Sequence, residues 1–342
     1  MRAAVMREKR IVAETVPDPV PGPGEVLVKT LACGICGSDL HALQHADQMM
    51  ASARESGAPF VPNLLGDVVM GHEFCAEILD FGPNTTQRLP AGTRVVSMPL
   101  VFHGARLQAV GYSDEVPGGY GERMVLSEAL LLEVPNGLAT EHAATTEPMA
   151  VGVHAVAKAN VSARDVPLVV GCGPVGLAVI AGLRLQGIET IVAADFSPRR
   201  RALAAHFGAS HVVDPAERPA VEAWREAAGA KTAVLFECVG VPGLIDSIMR
   251  DAPPQSRIVV AGVCMERDTF RPMLGINKEL NIQFVLGYTP EEFARTLRAL
   301  SEGQIQVEPM ITGRTGVEGV AEAFTTLGNP EAHAKILVEP WR

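Results

Sequence analysis

Three stretches of the chain carry side chains able to hold a metal ion. They are Cys33-Gly-Ile-Cys36-Gly-Ser38-Asp39-Leu-His41, then Gly71-His72-Glu73, 36 residues after Cys36, and Thr146-Glu147-Pro148-Met149-Ala-Val-Gly-Val-His154. A thiolate, an imidazole and carboxylates are ordinary ligands of zinc, and three of them leave a fourth position open for a reactant. Spacing alone leaves two other readings open. A C-x-x-C pair is also a redox couple, and His72 also reads as a buried, hydrogen-bonded histidine.

A second constellation lies further on. Leu168-Val-Val-Gly171-Cys-Gly173-Pro174-Val175-Gly176 is an apolar run that enters G-x-G-x-x-G and then a helix-like segment. With a strand before it and a helix after it, this pattern is a dinucleotide fingerprint rather than a glycine-rich packing turn. Gly171 permits the tight turn, Gly173 lets the backbone approach a pyrophosphate, and Gly176 lets helix and strand pack closely. Unpaired N–H groups at the helix start face the phosphates. Asp195, 19 residues after Gly176, is positioned to accept from the adenosine ribose hydroxyls and to repel a 2′-phosphate, which favours NAD over NADP. Arg199 and Arg200 complicate this, since arginine holds a 2′-phosphate. Their other reading is helix surface charge touching the ribose edge. Cys238, Val239 and Val263 follow predicted parallel strands, where ligands bind. With Val151 and Leu286 they read as lining for the cofactor pockets, or as ordinary core.

The elements that must position these groups divide the chain in two. Residues 1–150 read as short strands and loops (Glu25–Lys29, Glu77–Phe81, Arg94–Met98, Arg123–Leu126) separated by turns such as Pro117-Gly118-Gly119 and Pro135-Asn136-Gly137, a β-barrel-like module. From about residue 155 apolar strands alternate with helices. The strands are Pro167–Gly171, Thr190–Ala194, His211–Val213, Ala233–Phe236 and Arg257–Ala261. The helices are Pro174–Gln186, Pro198–Phe207, Val221–Ala228 and Leu244–Met249. That alternation implies a parallel sheet covered on both faces. A helix at Pro290–Ser301 leads into short strands and a helix at Val317–Leu327, which return to the first module. The uncharged run Val166–Leu183 is long enough to span a membrane, but its glycines and Pro174 fit a buried strand, turn and helix better.

At 342 residues, about two domains are expected. With 47% hydrophobic residues a sizeable core forms, and wholesale disorder is excluded. The net charge of −10, without a basic block, argues against a nucleic-acid partner. Six cysteines are too few for a disulfide scaffold, and the first residues lack a signal peptide's apolar core. Reduced thiols and a cytoplasmic location are expected, with no membrane contact.

The motifs C-G-I-C-G-S-D-L-H, G-H-E-F, G-G-Y-G-E, E-P-M-A-V-G-V-H-A and G-C-G-P-V-G-L, with Phe236-Glu-Cys-Val-Gly240 and Met310-Ile-Thr312, run through essentially the whole chain. In this combination and order the chain resembles the zinc-dependent medium-chain alcohol/polyol dehydrogenases, especially the branch with sorbitol, threonine and butanediol dehydrogenases. The resemblance implies a GroES-like catalytic domain of residues 1–153 and 290–342, with a Rossmann NAD-binding domain inserted as residues 154–289. It implies that Cys36 and His72 are zinc ligands, that Cys33 is a buried bystander, and that Glu73 and Glu147 are two unranked candidates for the remaining ligand. Asp39 is expected to orient His72, or else to cap a helix. The family's structural-zinc lobe has four cysteines, and Met98–Glu115 here has none. One catalytic zinc and no structural zinc are therefore expected, with His103 a loop residue. The segment 45–69 is longer than in many relatives, and Met49, Met50, Phe60 and Leu64 make it apolar. It is read as a cover for the substrate mouth or a subunit contact. Ala76 stands where the family usually has glycine.

The implied reaction moves a hydride between a secondary alcohol, diol or polyol and NAD. Zinc makes the bound alcohol acidic enough to yield an alkoxide. Ser38 and His41 relay its proton outward, through the cofactor ribose in the family's pattern; Ser38 also reads as a helix N-cap. His45, His142 and His154 read as surface or packing residues. Two alternatives are a zinc-free, NADPH-dependent quinone or enone reductase of the same architecture, and a non-enzymatic nucleotide-binding redox sensor with a Cys33–Cys36 disulfide. The expected partners are a small alcohol and further copies of the chain, as homodimer or homotetramer.

Overall fold

The computed structural model describes residues 1–103, 106–135 and 137–342. His103, expected in a loop, ends a short strand instead; its side chain and the turn at Asn136 lie outside the described residues. In chain order the first part contains β1 (Arg2–Arg7), β2 (Arg10–Thr15), β3 (Glu25–Gly34), α1 (Gly37–Glu55), β4 (Val68–Val69), β5 (Glu73–Phe81), β6 (Arg94–Ser97), β7 (Leu100–His103), β8 (Arg106–Ala109), β9 (Arg123–Ser127), β10 (Leu131–Glu133), α2 (Thr140–Ala143) and α3 (Thr146–Ala159). The middle contains β11 (Asp165–Val170), α4 (Pro174–Leu185), β12 (Val192–Ala194), α5 (Pro198–His206), β13 (His211–Val213), α6 (Ala220–Ala228), β14 (Thr232–Glu237), α7 (Leu244–Asp251), β15 (Arg257–Val260), α8 (Pro272–Lys278), β16 (Asn281–Phe284) and α9 (Pro290–Ser301). The chain ends with β17 (Ile311–Thr315), α10 (Val320–Thr326) and β18 (Lys335–Val338).

Two sheets carry the architecture. A seven-stranded sheet runs β10-β6-β5-β3-β18-β17, with β9 also on β3. Its last strand returns from the far end of the chain to lie antiparallel to β3, pairing Val338 with Cys33. A six-stranded parallel sheet runs β13-β12-β11-β14-β15-β16, the doubly wound order of a Rossmann fold. Its central strands are apolar on both faces because helices cover both. The run Val166–Leu183 is therefore the inner strand β11 and the buried helix α4, and no helix among the described residues is long and apolar enough to cross a membrane.

The first 150 residues contain more helix than expected. The 19-residue α1 fills part of what reads as loop, with a non-helical residue at His45. It shows weakly in sequence because few of its positions are both apolar and buried: Ala42, Leu43 and Met50. Its Ala, Leu, Met and Gln content still favours helix. Ser38 is not the N-cap; Cys36 is, because Asp39 folds back to accept the Cys36 N–H at 3.0 Å. In the 45–69 segment Met50 and Leu64 are buried and Phe60 is half-buried.

Candidate metal and cofactor site

Strand β3 organises the metal-binding side. Its end pairs with the start of β5 and with β18, so Glu73 at the head of β5 faces Lys335 at the head of β18. A Cβ on Gly34 would lie 2.0 Å from Glu73 Oε2, so a larger residue there would displace the Glu73 carboxylate. Ligand atoms of Cys36, His72 and Glu73 lie within 4.8 Å of one another. Glu73 is 1% exposed, and Lys335 Nζ contacts its two oxygens at 2.8 and 2.6 Å while also donating to Ile35 O. Burial works against the charge of Lys335, but Glu73 and then Cys36 outweigh it and hold its pKa above the ordinary value.

Asp39 stands behind His72. Its Oδ1 lies 3.3 Å from His72 Nδ1, and its Oδ2 accepts from the Tyr120 hydroxyl at 2.6 Å. Burial opposes the Asp39 carboxylate, yet His72, Tyr120 and the Cys36 N–H keep its pKa below the usual range. Burial likewise opposes imidazolium at His72, and Asp39 outweighs it, raising that pKa. Asp39 thus closes the first turn of α1, and its Oδ1 faces His72 Nδ1, which is buried and makes no hydrogen bond. Cys33 is fully buried, with its sulfur against the glycine positions 71 and 119.

Glu147 enters from the first turn of α3. It is half-buried, and burial dominates its carboxyl and pushes the pKa up to about 7, against the opposing pull of His72. The Tyr288 hydroxyl lies beside it, and burial and then Glu147 raise the Tyr288 pKa. Ser38 and His41 stand three positions apart on the first turns of α1, on one face. His41 is half-buried, and burial, then His45, lowers its pKa. The Tyr112 hydroxyl reaches Ser38 Oγ at 2.9 Å. A cavity of about 420 Å³ opens beyond Tyr112, between Phe60 and Val61 of the 45–69 segment and Leu107 of the β7–β8 hairpin. His154 packs inside, its Nδ1 2.7 Å from Glu292 Oε2.

Sequence reading missed four groups here. Tyr112, Tyr120 and Tyr288 are all the tyrosines the chain has, and each turns its hydroxyl to Ser38, Asp39 or Glu147. Lys335 was legible only as a charge heading the apolar run Ile336-Leu337-Val338.

The glycine loop follows β11. Gly171 has φ +91°, and a Cβ there would meet Val239 at 2.5 Å. A Cβ on Gly176 would strike Gly171 O at 1.9 Å, whereas one on Gly173 meets nothing nearer than the Arg200 guanidinium at 3.9 Å. This is an open cradle at the start of α4, where Pro174 leaves no N–H to waste. Asp195 lies one residue past β12. Its oxygens accept from Cys172 N and Ser197 N, both at 2.8 Å, so part of its capacity is used within the loop. Arg200 stands 4.0 Å from it, and its Nε is buried without a partner. Arg199 is occupied elsewhere, on the carbonyls of Glu331 and Ala332. Cys238 is buried, Val239 and Val263 are about half exposed beyond their strands, and Leu286 is 86% exposed.

The donor set suits zinc: a thiolate, an imidazole and a carboxylate converge, with a second carboxyl, Glu147, near enough to feel the charge of His72. The model of the alcohol dehydrogenase GroES-like domain matches residues 22–136, and that of the zinc-binding dehydrogenase matches residues 174–302. The (R,R)-butanediol dehydrogenase of Bacillus subtilis (strain 168) is 30% identical over 351 residues, 97% of each chain. The crystal structure of 2R,3R-butanediol dehydrogenase from Bacillus subtilis matches with TM-score 0.84 at 29% identity over 99% of both chains. A candidate zinc-binding dehydrogenase from Sinorhizobium meliloti 1021, solved with NADP, matches with TM-score 0.83 at 26% identity over 99% of both chains. Fold, donor set and relatives agree: the chain belongs to the zinc-dependent medium-chain alcohol/polyol dehydrogenase family, whose members work with zinc and a nicotinamide cofactor.

Proposed function

We propose that this enzyme oxidises a vicinal diol or polyol at a secondary alcohol, with NAD as the preferred acceptor and one zinc per chain. The observation that carries the reading is the convergence of Cys36, His72 and Glu73 within 4.8 Å, faced by Glu147. Cys36, His72 and Glu73 are taken as the protein ligands, with Glu147 opposite, reaching the metal directly or through water. The Cys36 thiolate, the Glu73 carboxylate and Glu147 in its ionised form would offset a divalent cation and the Lys335 ammonium, which lowers the cost of burying those charges. When bound, zinc supplies acidity to an alcohol oxygen, and the nicotinamide supplies the hydride acceptor.

The protein's own groups do the rest. Asp39 orients His72. Ser38 takes the alcohol proton and His41 passes it to solvent; an imidazole whose pKa is lowered by burial releases a proton readily. Gly171, Gly173, Pro174, Val175 and Gly176 hold the pyrophosphate; Asp195 and Arg200 flank the adenosine ribose; Cys238, Val239 and Val263 line the cleft. Asp195 carries the preference for NAD, since a 2′-phosphate would approach a carboxylate. Residues 1–153 with 290–342 act as the catalytic unit and 154–289 as the cofactor unit, a division supported by the return of β18 to β3. Edge strand β16 and helix α8 expose Phe284, Met273 and Ile276, and we assign this face to a second copy of the chain. The six free cysteines fit a reducing cytoplasm.

Metal analysis combined with initial rates tests the reading. The purified protein is expected to carry about one zinc per chain. It should reduce NAD faster than NADP with 2,3-butanediol, sorbitol, threonine or simple secondary alcohols, the diols leading. Activity should fall with chelation and return with zinc. Activity that survives complete loss of metal would overturn it.

A further inference from the structure

Ser38, in the proposed relay, must accept one proton and release another, so the direction of its O–H decides whether it works. One hydroxyl stands near it on the inner side, and that hydroxyl also reaches a carboxylate. Tyr112 Oη is 2.9 Å from Ser38 Oγ and 3.2 Å from Asp39 Oδ1. The other oxygen of Asp39 is already engaged by Tyr120 at 2.6 Å and by the Cys36 N–H at 3.0 Å. A phenol has one hydrogen, a carboxylate only accepts, and a serine hydroxyl does both. Two arrangements follow. If Tyr112 donates to Asp39, Ser38 is free to donate to Tyr112, and its hydrogen points inward, away from the outlet. If Tyr112 donates to Ser38, one Ser38 lone pair is filled from behind. The Ser38 hydrogen then points outward toward the relay, and its second lone pair faces the alcohol.

We propose that Tyr112 is a positioning residue for the proton relay, donating to Ser38 Oγ so that Ser38 presents a lone pair to the alcohol and its hydrogen to the outlet. This rests on the Ser38 relay proposed above. The proton balance closes: one O–H bond forms at Ser38 as its former one breaks, and Ser38 ends neutral. The alternative arrangement, with Asp39 as acceptor, resets the hydroxyls between turnovers. Tyr112 comes from the end of the cysteine-free lobe, Met98–Glu115, so in this chain that segment serves the relay. Its ring also lies 5.3 Å from the His72 ring.

Tyr112→Phe keeps that ring and deletes only the hydroxyl. The expected result is a fall in kcat of about tenfold or more, against the 10²–10⁴ of a full acid–base group. KM should stay within about twofold, the solvent deuterium isotope effect on kcat should rise, and zinc content, NADH affinity by fluorescence titration and melting temperature should be unchanged. Ser38→Ala should be slow, and the S38A/Y112F double variant no slower than S38A, because the two groups act as one unit. Wild-type kcat in Y112F beside a slow S38A overturns the role of Tyr112 alone. Additive losses in the double variant do the same, as does loss of zinc from Y112F, which would assign the hydroxyl to Asp39 and His72. Wild-type kcat in S38A overturns the relay itself, and this proposal with it. Should Y112F not fold, 3-fluorotyrosine at position 112 retains the donor and strengthens it; an unchanged solvent isotope effect there overturns the proposal.

Discussion

Cysteine chemistry separates cleanly by environment in this chain. Burial raises the thiol pKa of Cys33, Cys75, Cys172 and Cys238, that of Cys75 to about 12, so these four stay protonated and shielded. Cys36 and Cys264 are half-buried. Iodoacetamide is therefore expected to label Cys264 in the native enzyme and Cys36 only after chelation, with the other four labelled on unfolding; peptide mass spectrometry reads this directly. Labelling of Cys36 in the zinc-loaded protein would contradict its assignment as a ligand. At this scale the ligand types were legible because thiolate, imidazole and carboxylate are rare in such motifs. The roles of Tyr112, Tyr288 and Lys335 were not, since a hydroxyl or ammonium in sequence says nothing about which carboxylate or serine it will face.

Two elements bring the halves of the site together, and both depend on close approach. Helix α3, which carries Glu147, crosses α4, which carries the glycine loop, at Gly152; a Cβ there would lie 2.1 Å from the Ala178 carbonyl carbon. Gly152→Ala is expected to cost about 1–3 kcal/mol by overpacking. It should lower activity as well as melting temperature, because Glu147 moves with its helix. Strand β11 is fixed from below by Asp165, whose carboxylate pairs with Arg257 at 2.5 Å and accepts from Ser162. Burial opposes this carboxylate, but Arg257 and Ser162 hold its pKa below the ordinary value. The unfolded chain then binds the proton more readily, so the contribution to stability is present above about pH 4 and is lost as pH falls through the lowered folded pKa. Asp165→Asn should destabilise by about 1–3 kcal/mol at pH 7, and urea melts should show the gap to wild type closing at low pH. Helix α1 was the element least visible in sequence. Its apolar face is narrow and its N-terminus is fixed by Asp39, a residue whose capping geometry exists only once the helix has formed.

For the whole molecule, edge strand β16 of the parallel sheet pairs only with β15 among the described residues. Phe284 is 60% exposed on β16, and Ile276 is 69% exposed on α8. Sedimentation is expected to find a dimer or tetramer for the wild type and a smaller species for a Phe284→Glu/Ile276→Glu variant, with zinc content preserved; an unchanged mass would move the interface elsewhere. The alternation that makes the parallel sheet, the glycine loop between strand and helix, and the residue types of the candidate zinc donors were legible in the sequence, because periodicity, turn residues and ligand type are local properties of a chain; helix α1 and the elements α8 and β16 were not. The tertiary structure alone decided three things. It set Glu73 against Lys335 across 262 positions. It turned every tyrosine toward one centre, and it put Glu147 within reach of His72's charge. Those are distances between residues far apart in the chain, and only the packing of β3, β5, β18 and α3 around a shared core determines them.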